Sequence, residues 1–345
     1  YTDSSCPALL LEPQRTNKES NSELLGTYSN SVIRLVNDTT SPEGLVNANK
    51  IVEAAATSRH EIYSDQISFN GNLHTISFFA KADERRYMSA FIGGNPAYGG
   101  VTFDFQTGTI SQTSGGTTAD VVDYGNNWYR CSFTTNYPSS SQVYLCMRTA
   151  DNNVDVQTYA GDGTSGFYIW GFQVEEGSYA TSYIPTYGSS VTRTNDYMKL
   201  LATDFYNTTS YTYFLDINLP YDVGTSSALW KDNDNLSSNG GFQLRKTSPT
   251  GSYVGITTHN GTSFTGFFTN VLTGRLKMAI IYNNGEVSVY YNGVQSGSAI
   301  SVTGWNQSTN HFKFQDGSMG TYETQQFLYL PTALTDQEAI DLTTI

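Results

Sequence analysis

Asp232 and Asp234 alternate with Asn233 and Asn235 in the run Lys231–Asn235, directly after the apolar Ala228-Leu229-Trp230. Closely spaced hard oxygen donors of this kind suit Ca²⁺. The run has no Gly at the sixth loop place and no Glu at the twelfth, so it is not an EF-hand. It is read as a candidate calcium loop, and a polar turn is the plainer alternative. Gly161-Asp162-Gly163 is a weaker candidate of the same type. A second chemistry follows from aromatic side chains next to amides: a ring packs on an apolar ligand face while amides and carboxylates bond its hydroxyls. Trp305 lies in VTGWNQSTN beside Asn306, Gln307 and Asn310; Trp230 borders the acidic run; Tyr98 lies in GGNPAYGG with Asn95. These loop positions are the candidate carbohydrate contacts, and packing within their own domain is the alternative for each.

Covalent and metal-hydrolytic chemistry lacks its usual signatures. There is no Gly-x-Ser-x-Gly elbow and no His-Glu-x-x-His, and the Gly-rich stretches lack a P-loop lysine. His60, His74, His259 and His311 are scattered without ligand spacing. Three cysteines, Cys6, Cys131 and Cys146, cannot build a disulfide framework. A hairpin centred on Pro138-Ser139 would set Cys131 opposite Cys146. However, Tyr129, Cys131 and Phe133 read as one inward face, and Val143, Leu145 and Met147 as another. The two thiols then differ in parity, and parity fixes the face. Buried free thiols are expected, with a disulfide as the alternative.

These residues need elements to hold them, and the elements read as strands. Only 14% of the 345 residues are charged, while aromatics make up another 14%. A chain so rich in aromatics has core material, which argues against disorder. Period-two alternation recurs in TISFFAK (Thr75–Lys81), GVTFDF (Gly100–Phe105), GFYIWGFQV (Gly166–Val174), YTYFLDINL (Tyr211–Leu219), GFQLR (Gly241–Arg245), RLKMAIIY (Arg275–Tyr282) and EVSVYY (Glu286–Tyr291). Asn283-Asn284-Gly285 and Asn292-Gly293 are turn sequences for φ > 0. Helix signals are few: an Ala-rich Asn47–Ala56, and TDQEAIDL (Thr335–Leu342), where Glu338 follows Thr335 at capping-box spacing. The Pro/Gly/Ser/Thr stretch Ser182–Asp196 reads as a join. The expected fold is all-β, two tandem β-sandwiches, with an N-terminal segment over 1–30, a first domain over 31–195 and a second over 196–345. A net charge of −13, with Arg85-Arg86 the only tight basic pair, argues against nucleic acid. No apolar run reaches 18 residues, so no membrane-inserted helix is expected.

Particular motifs carry a resemblance. PALLLEPQRTN (Pro7–Asn17), NNWYRCSFT and GDGTSGFYIWGFQVEEGSYATSYIPTYGSSVTRTND resemble segments of bacteriophage tail-fibre and related virion proteins. That region is similar to a jelly roll of the carbohydrate-binding-module type. RLKMAIIYNNGEVSVYYNGVQ (Arg275–Gln295) and QQFLYLPTALTDQEAIDL (Gln325–Leu342) resemble the concanavalin A-like, laminin-G-like lectin fold. Several glycoside hydrolases of that fold carry Glu-x-Asp-x-x-Glu, and no Glu here is followed two positions later by Asp. Trp128 and Trp170, set in apolar strands, are expected in the core. Arg130 and Arg193 are expected to pair with Glu175, Glu176 or Asp196.

The resemblance implies a non-catalytic phage appendage protein of tail-fibre or head-fibre type, exposed on the virion. It would bind host-surface polysaccharide, assemble as a homotrimer and, through an N-terminal segment that includes Pro7–Asn17, dock other virion proteins or the neighbouring chain. No cofactor is expected apart from the candidate Ca²⁺. A purely structural decoration protein, or the accessory binding region of a polysaccharide-degrading enzyme, are the alternatives.

Overall fold

The computed structural model describes residues 9–23, 28–93, 97, 99–149, 158–196, 198–201, 209–219, 227–231, 241–246, 254–259, 264–269, 274–302, 311–316 and 322–345. The protein is all-β: among the described residues Asp336–Thr343 is the one α-helix. The chain divides into two compact units, Arg15–Arg193 and Tyr1–Gln14 with Thr194–Ile345.

The first unit is a β-sandwich. One sheet runs, in spatial order, Thr109–Ser114, Gly100–Asp104, Tyr87–Ile92, Val143–Arg148, Glu61–Tyr63 and Tyr28–Asn30. The other runs Thr118–Asp123, Tyr129–Asn136, Leu73–Ala82, Gly166–Glu176, Val46–Glu53 and Val32–Thr40. Alternation decides what lies between them: Ile76, Phe78 and Ala80 of one strand meet Met88, Ala90 and Ile92 of the opposite sheet in a single apolar core. Tyr129–Asn136 and Val143–Arg148 are not hairpin partners but belong to opposite sheets. Cys131 and Cys146 are accordingly buried thiols not joined by a disulfide. Burial pushes the Cys131 thiol well above its usual range.

The Ala-rich Asn47–Ala56 is not helical, and Val46–Glu53 is a strand. Ala48 is fully buried against Phe79, Trp128 and Trp170, while Ile51 enters the main core. Packing on both faces overrides the helix propensity of a short alanine run. His60 and His74 are buried and hydrogen-bonded, with His60 Nδ1 2.7 Å from Ser31 O and His74 Nε2 2.6 Å from Lys18 Nζ.

The second unit is also a sandwich. Leu9–Leu11, Tyr322–Leu330, Ser210–Leu219, Gly274–Asn283, Glu286–Tyr291 and Val294–Gln295 form one sheet, with Ile300–Ser301 also pairing to Glu286–Tyr291. Met198–Leu201, His311–Asp316, Ser227–Lys231, Gly241–Lys246, Val254–His259 and Phe264–Thr269 form the other. Tyr211, Tyr213, Leu276 and Ile280 pack with Trp230, Phe242, Leu244 and Phe314. The helix covers the far face of the first sheet, where Ala339 meets Ala279, Ile281 and Tyr290. Its capping box forms as read: Thr335 Oγ1 accepts from Glu338 N–H, and the Glu338 carboxylate accepts from Thr335 N–H at 2.8 Å. Asn284, Gly285, Asn292 and Gly293 all have positive φ, as two-residue turns require.

The described part of the N-terminal segment is woven into the chain's own sheets. Leu9–Leu11 pairs with Tyr322–Thr324 in the second unit, and Arg15–Asn17 with Val191–Arg193 in the first. Leu9–Leu11 covers the edge of its sheet, and Arg15–Asn17 forms a two-stranded ribbon with Val191–Arg193.

Candidate functional site

The sequence candidates are placed as follows. Trp230 is 1% exposed and inside the second core, edge-on to Tyr213 with ring centroids 5.0 Å apart and 5.9 Å from Phe327. With no ring face toward solvent it is a packing residue, which corrects the reading of it as a surface contact. Tyr98, Asn95, Trp305, Asn306, Gln307, Asp232 and Asp234 lie outside the described residues. Among the described residues no three His, Cys, Asp or Glu side chains gather as a metal needs. The weaker calcium candidate is a closed turn: Asp162 Oδ1 accepts the Thr164 and Ser165 N–H groups at 2.7 Å, and Oδ2 accepts the Ser165 hydroxyl at 2.5 Å. Arg85 stands 3.7 Å away, already supplying the positive charge.

A different site emerges on the outer face of the sheet containing Leu73–Ala82. Arg130, Phe79 and Trp170 sit side by side on three neighbouring strands, Arg130 opposite Phe79 and Phe79 opposite Trp170. Their outward direction follows from parity, since Phe78, Cys131 and Ile169 point into the core. Trp170 and Trp128 are buried as expected, but in a second cluster on the outer face with Phe79 and Ala48. Gly171 (φ +63) sits in the register shift between Trp170 and Gln173. The bulge returns Phe172 to the core, although strict alternation would put it outside with Trp170. A Cβ on Gly171 would stand 3.1 Å from the Phe79 ring and 3.5 Å from Tyr183.

A strap over 178–187 packs its Tyr183 ring on Trp170 of this face, and the motif residues hold it there. Thr181 donates its N–H to Glu175 Oε2 at 3.0 Å and its hydroxyl to Oε1. Ile184 N–H donates to Gln173 Oε1 at 2.6 Å, and Asn17 Nδ2 donates to Ile184 O at 2.9 Å. Thr186 N–H donates to Ser22 Oγ at 2.8 Å. Burial pushes the Glu175 carboxyl up, against the opposing bonds from Thr181 and the nearby Arg130 charge. Gly-x-Gln-x-Glu-x-Gly and the PQRTN segment therefore work as a structural clasp. Arg130 donates to Thr181 O and lies 5.6 Å over the Phe79 ring. The Arg130 charge acts on Glu175, one of the carboxylates expected to pair with it, and Arg193 is the register partner of Arg15.

Where the strap meets the loop at Pro42-Glu43, a hollow of about 160 Å³ remains. Phe79, Tyr124, Trp170, Tyr183, Arg130, Pro42, Glu43 and Ser182 line it. Tyr124 precedes a tight turn in which Asn126 and Asn127 both have positive φ, and it is 55% exposed. It meets Phe79 edge-on at 4.9 Å. Trp128 Nε1 donates to Thr40 O at 3.2 Å, tying down the strand end before Pro42. Trp170 Nε1 is buried with no hydrogen-bond partner among the described residues. The volume equals the liquid share of about five waters, enough for one ring-sized group. Aromatic walls, a guanidinium and an exposed carboxylate are the groups that hold a polyhydroxylated ring. Sequence reading missed this site because its aromatics sit in strands with core-like neighbours, and only the bulge and the strap show which face each occupies.

No family model matches the chain, and no curated protein matches it. Among solved structures it is similar to the CBM40 module of a Ruminococcus gnavus IT-sialidase, at 12% identity over 40% of this chain and 84% of that one, with TM-score 0.32. It is similar to the binding domain of botulinum neurotoxin DC in complex with rat synaptotagmin II, at 14% identity over 43% of this chain and 40% of that one, with TM-score 0.35. It is also similar to sheep galectin-11 in complex with glycerol, at 13% identity over 39% of this chain and 96% of that one, with TM-score 0.27. Likenesses of this size fix no function.

Proposed function

We propose that this protein is a non-catalytic glycan-binding appendage of a phage particle, used for attachment to host-surface polysaccharide. The observation that carries the binding reading is the hollow on the first unit, where Tyr124, Trp170 and Tyr183 stand with Arg130 and Glu43 around a space for one sugar ring. The motif resemblance of Pro7–Asn17 and Gly161–Asp196 supports the phage setting. One small open site gives weak binding, so attachment rests on several copies acting together, as in a homotrimer.

The test is a glycan array probed with the purified protein, followed by competition with adsorption of the parent particle. Binding to a bacterial surface polysaccharide that Tyr124→Ala weakens, together with blocked adsorption, is the expected result. An array with no binder overturns the adhesin reading in favour of a purely structural decoration protein. Depolymerisation of the bound polysaccharide by the purified chain overturns the non-catalytic reading.

A further inference from the structure

Beside the aromatic hollow lies a second one, of about 270 Å³, lined by Asn21, Glu23, Val36, Asn37, Thr186 and Tyr187. The two share a wall. Asn47 Nδ2 donates to Glu43 Oε1 at 2.6 Å and to Glu23 Oε2 at 3.5 Å, and each carboxylate lines a different hollow. Tyr183 of the first hollow bonds Ser22 Oγ at 2.6 Å, between Asn21 and Glu23 of the second. Tyr187 is 74% exposed, and its hydroxyl donates to Glu23 Oε1 at 2.8 Å, which steadies a ring that otherwise stands in solvent.

We propose that the two hollows are consecutive subsites of one groove, which takes an uncharged oligosaccharide of at least two sugar residues. This rests on the glycan-binding reading above and deepens it. Tyr183 and the Asn47-bridged carboxylates form the low ridge between the subsites, and Tyr187 is the second platform. Glu23 and Glu43 accept hydroxyl hydrogens and repel a sugar carboxylate at the ridge, while Asn21 and Asn37 supply amides that both donate and accept. Asn37 has positive φ (+54°) in an irregular stretch of the edge strand Val32–Thr40, which sets it out of the regular ladder.

The test is isothermal titration with mono-, di- and trisaccharides cut from the neutral polysaccharide that scores highest on the array. Affinity is expected to rise about tenfold or more from mono- to disaccharide, the size of one added aromatic contact. Tyr187→Ala removes that gain and leaves monosaccharide affinity within about twofold, whereas Tyr124→Ala lowers affinity for every length. Equal affinity across the series, or a Tyr187→Ala variant that binds all lengths as the parent does, overturns the two-subsite groove and leaves the single-site reading standing. Selective binding of uronate-containing oligosaccharides overturns the preference for uncharged chains. An array without any binder overturns both.

Discussion

The Tyr183 ring packs 4.6 Å from the indole of Trp170, centroid to centroid, on the side of the sheet away from the main core. One partner comes from a strand and the other from the strap that crosses it. The contact closes one end of an aromatic hollow, and the strap's bonds to Gln173, Glu175 and Ser22 hold it in place. Burial pushes the Tyr183 hydroxyl up, above its ordinary range, so it stays a neutral partner for Ser22.

Tyr124→Ala removes a ring that is 55% exposed. Folding stability is expected to change by no more than about 0.5 kcal/mol, while glycan affinity falls about tenfold. Thermal melting and array binding on the same sample separate the two effects.

Gly171→Ala places a Cβ 3.1 Å from Phe79 at a φ of +63°. The expected cost is about 1–3 kcal/mol, and the displaced Phe79 ring narrows the hollow. Denaturant unfolding reads the first effect and loss of glycan binding the second; an unchanged midpoint would contradict the bulge as described.

Glu53 is fully buried and accepts from Arg85, from the Tyr159 hydroxyl at 2.6 Å and from Asp162 N–H at 2.8 Å. Burial raises its carboxyl, but the bonds from Arg85, Tyr159 and Asp162 outweigh burial and hold it below the usual range. Glu53→Ala removes the nearer carboxylate of Arg85, leaving Asp162 at 3.7 Å, and strips the Tyr159 hydroxyl of its acceptor, at an expected cost of about 3 kcal/mol. Tyr159→Phe removes one charge-assisted bond, at about 1.5–3 kcal/mol. A double-mutant cycle by denaturant titration should show the two effects to be coupled.

Acid sensitivity should come in two steps. Burial, reinforced by the Lys18 charge, holds the His74 imidazole below its ordinary range, so its contribution is complete above about pH 6.5 and fades as pH falls below that. The paired Arg86 guanidinium, with Thr107 and Gln106, holds Asp104 at about 2 against a usual 3.8. Its contribution is complete above about pH 4 and is lost between there and about pH 2. Asp104→Asn should shrink the lower step, to which Glu53 also contributes, and cost about 1–2 kcal/mol at neutral pH, a modest figure because Arg86 is 41% exposed. Melting temperature against pH, for parent and variant, checks both.

Trp230→Ala should cost about 3–5 kcal/mol, as expected for a large core ring. It should leave glycan binding intact at temperatures where the protein stays folded. Selective loss of binding would return Trp230 to the list of ligand contacts.

Much of the architecture is local and was legible in the sequence. Alternation placed Thr75–Lys81, Gly166–Val174, Tyr211–Leu219 and Glu286–Tyr291 in strands, because period two leaves one face apolar. Asn284-Gly285 and Asn292-Gly293 marked their turns through the φ > 0 that few residues accept, and Thr335 with Glu338 marked a helix start. What periodicity cannot carry is which face a residue serves after an irregularity, and which segment covers it. Gly171 reverses the parity of Phe172; the strap held by Gln173, Glu175 and Asn17 turns Trp170 and Tyr183 into the walls of a hollow; and Trp230, which borders the acidic run in sequence, is enclosed by Tyr213 and Phe327 from other strands. Those outcomes depend on contacts between residues distant in sequence, as between Trp230 and Phe327 or between Asn17 and Ile184, so only the tertiary structure decides them.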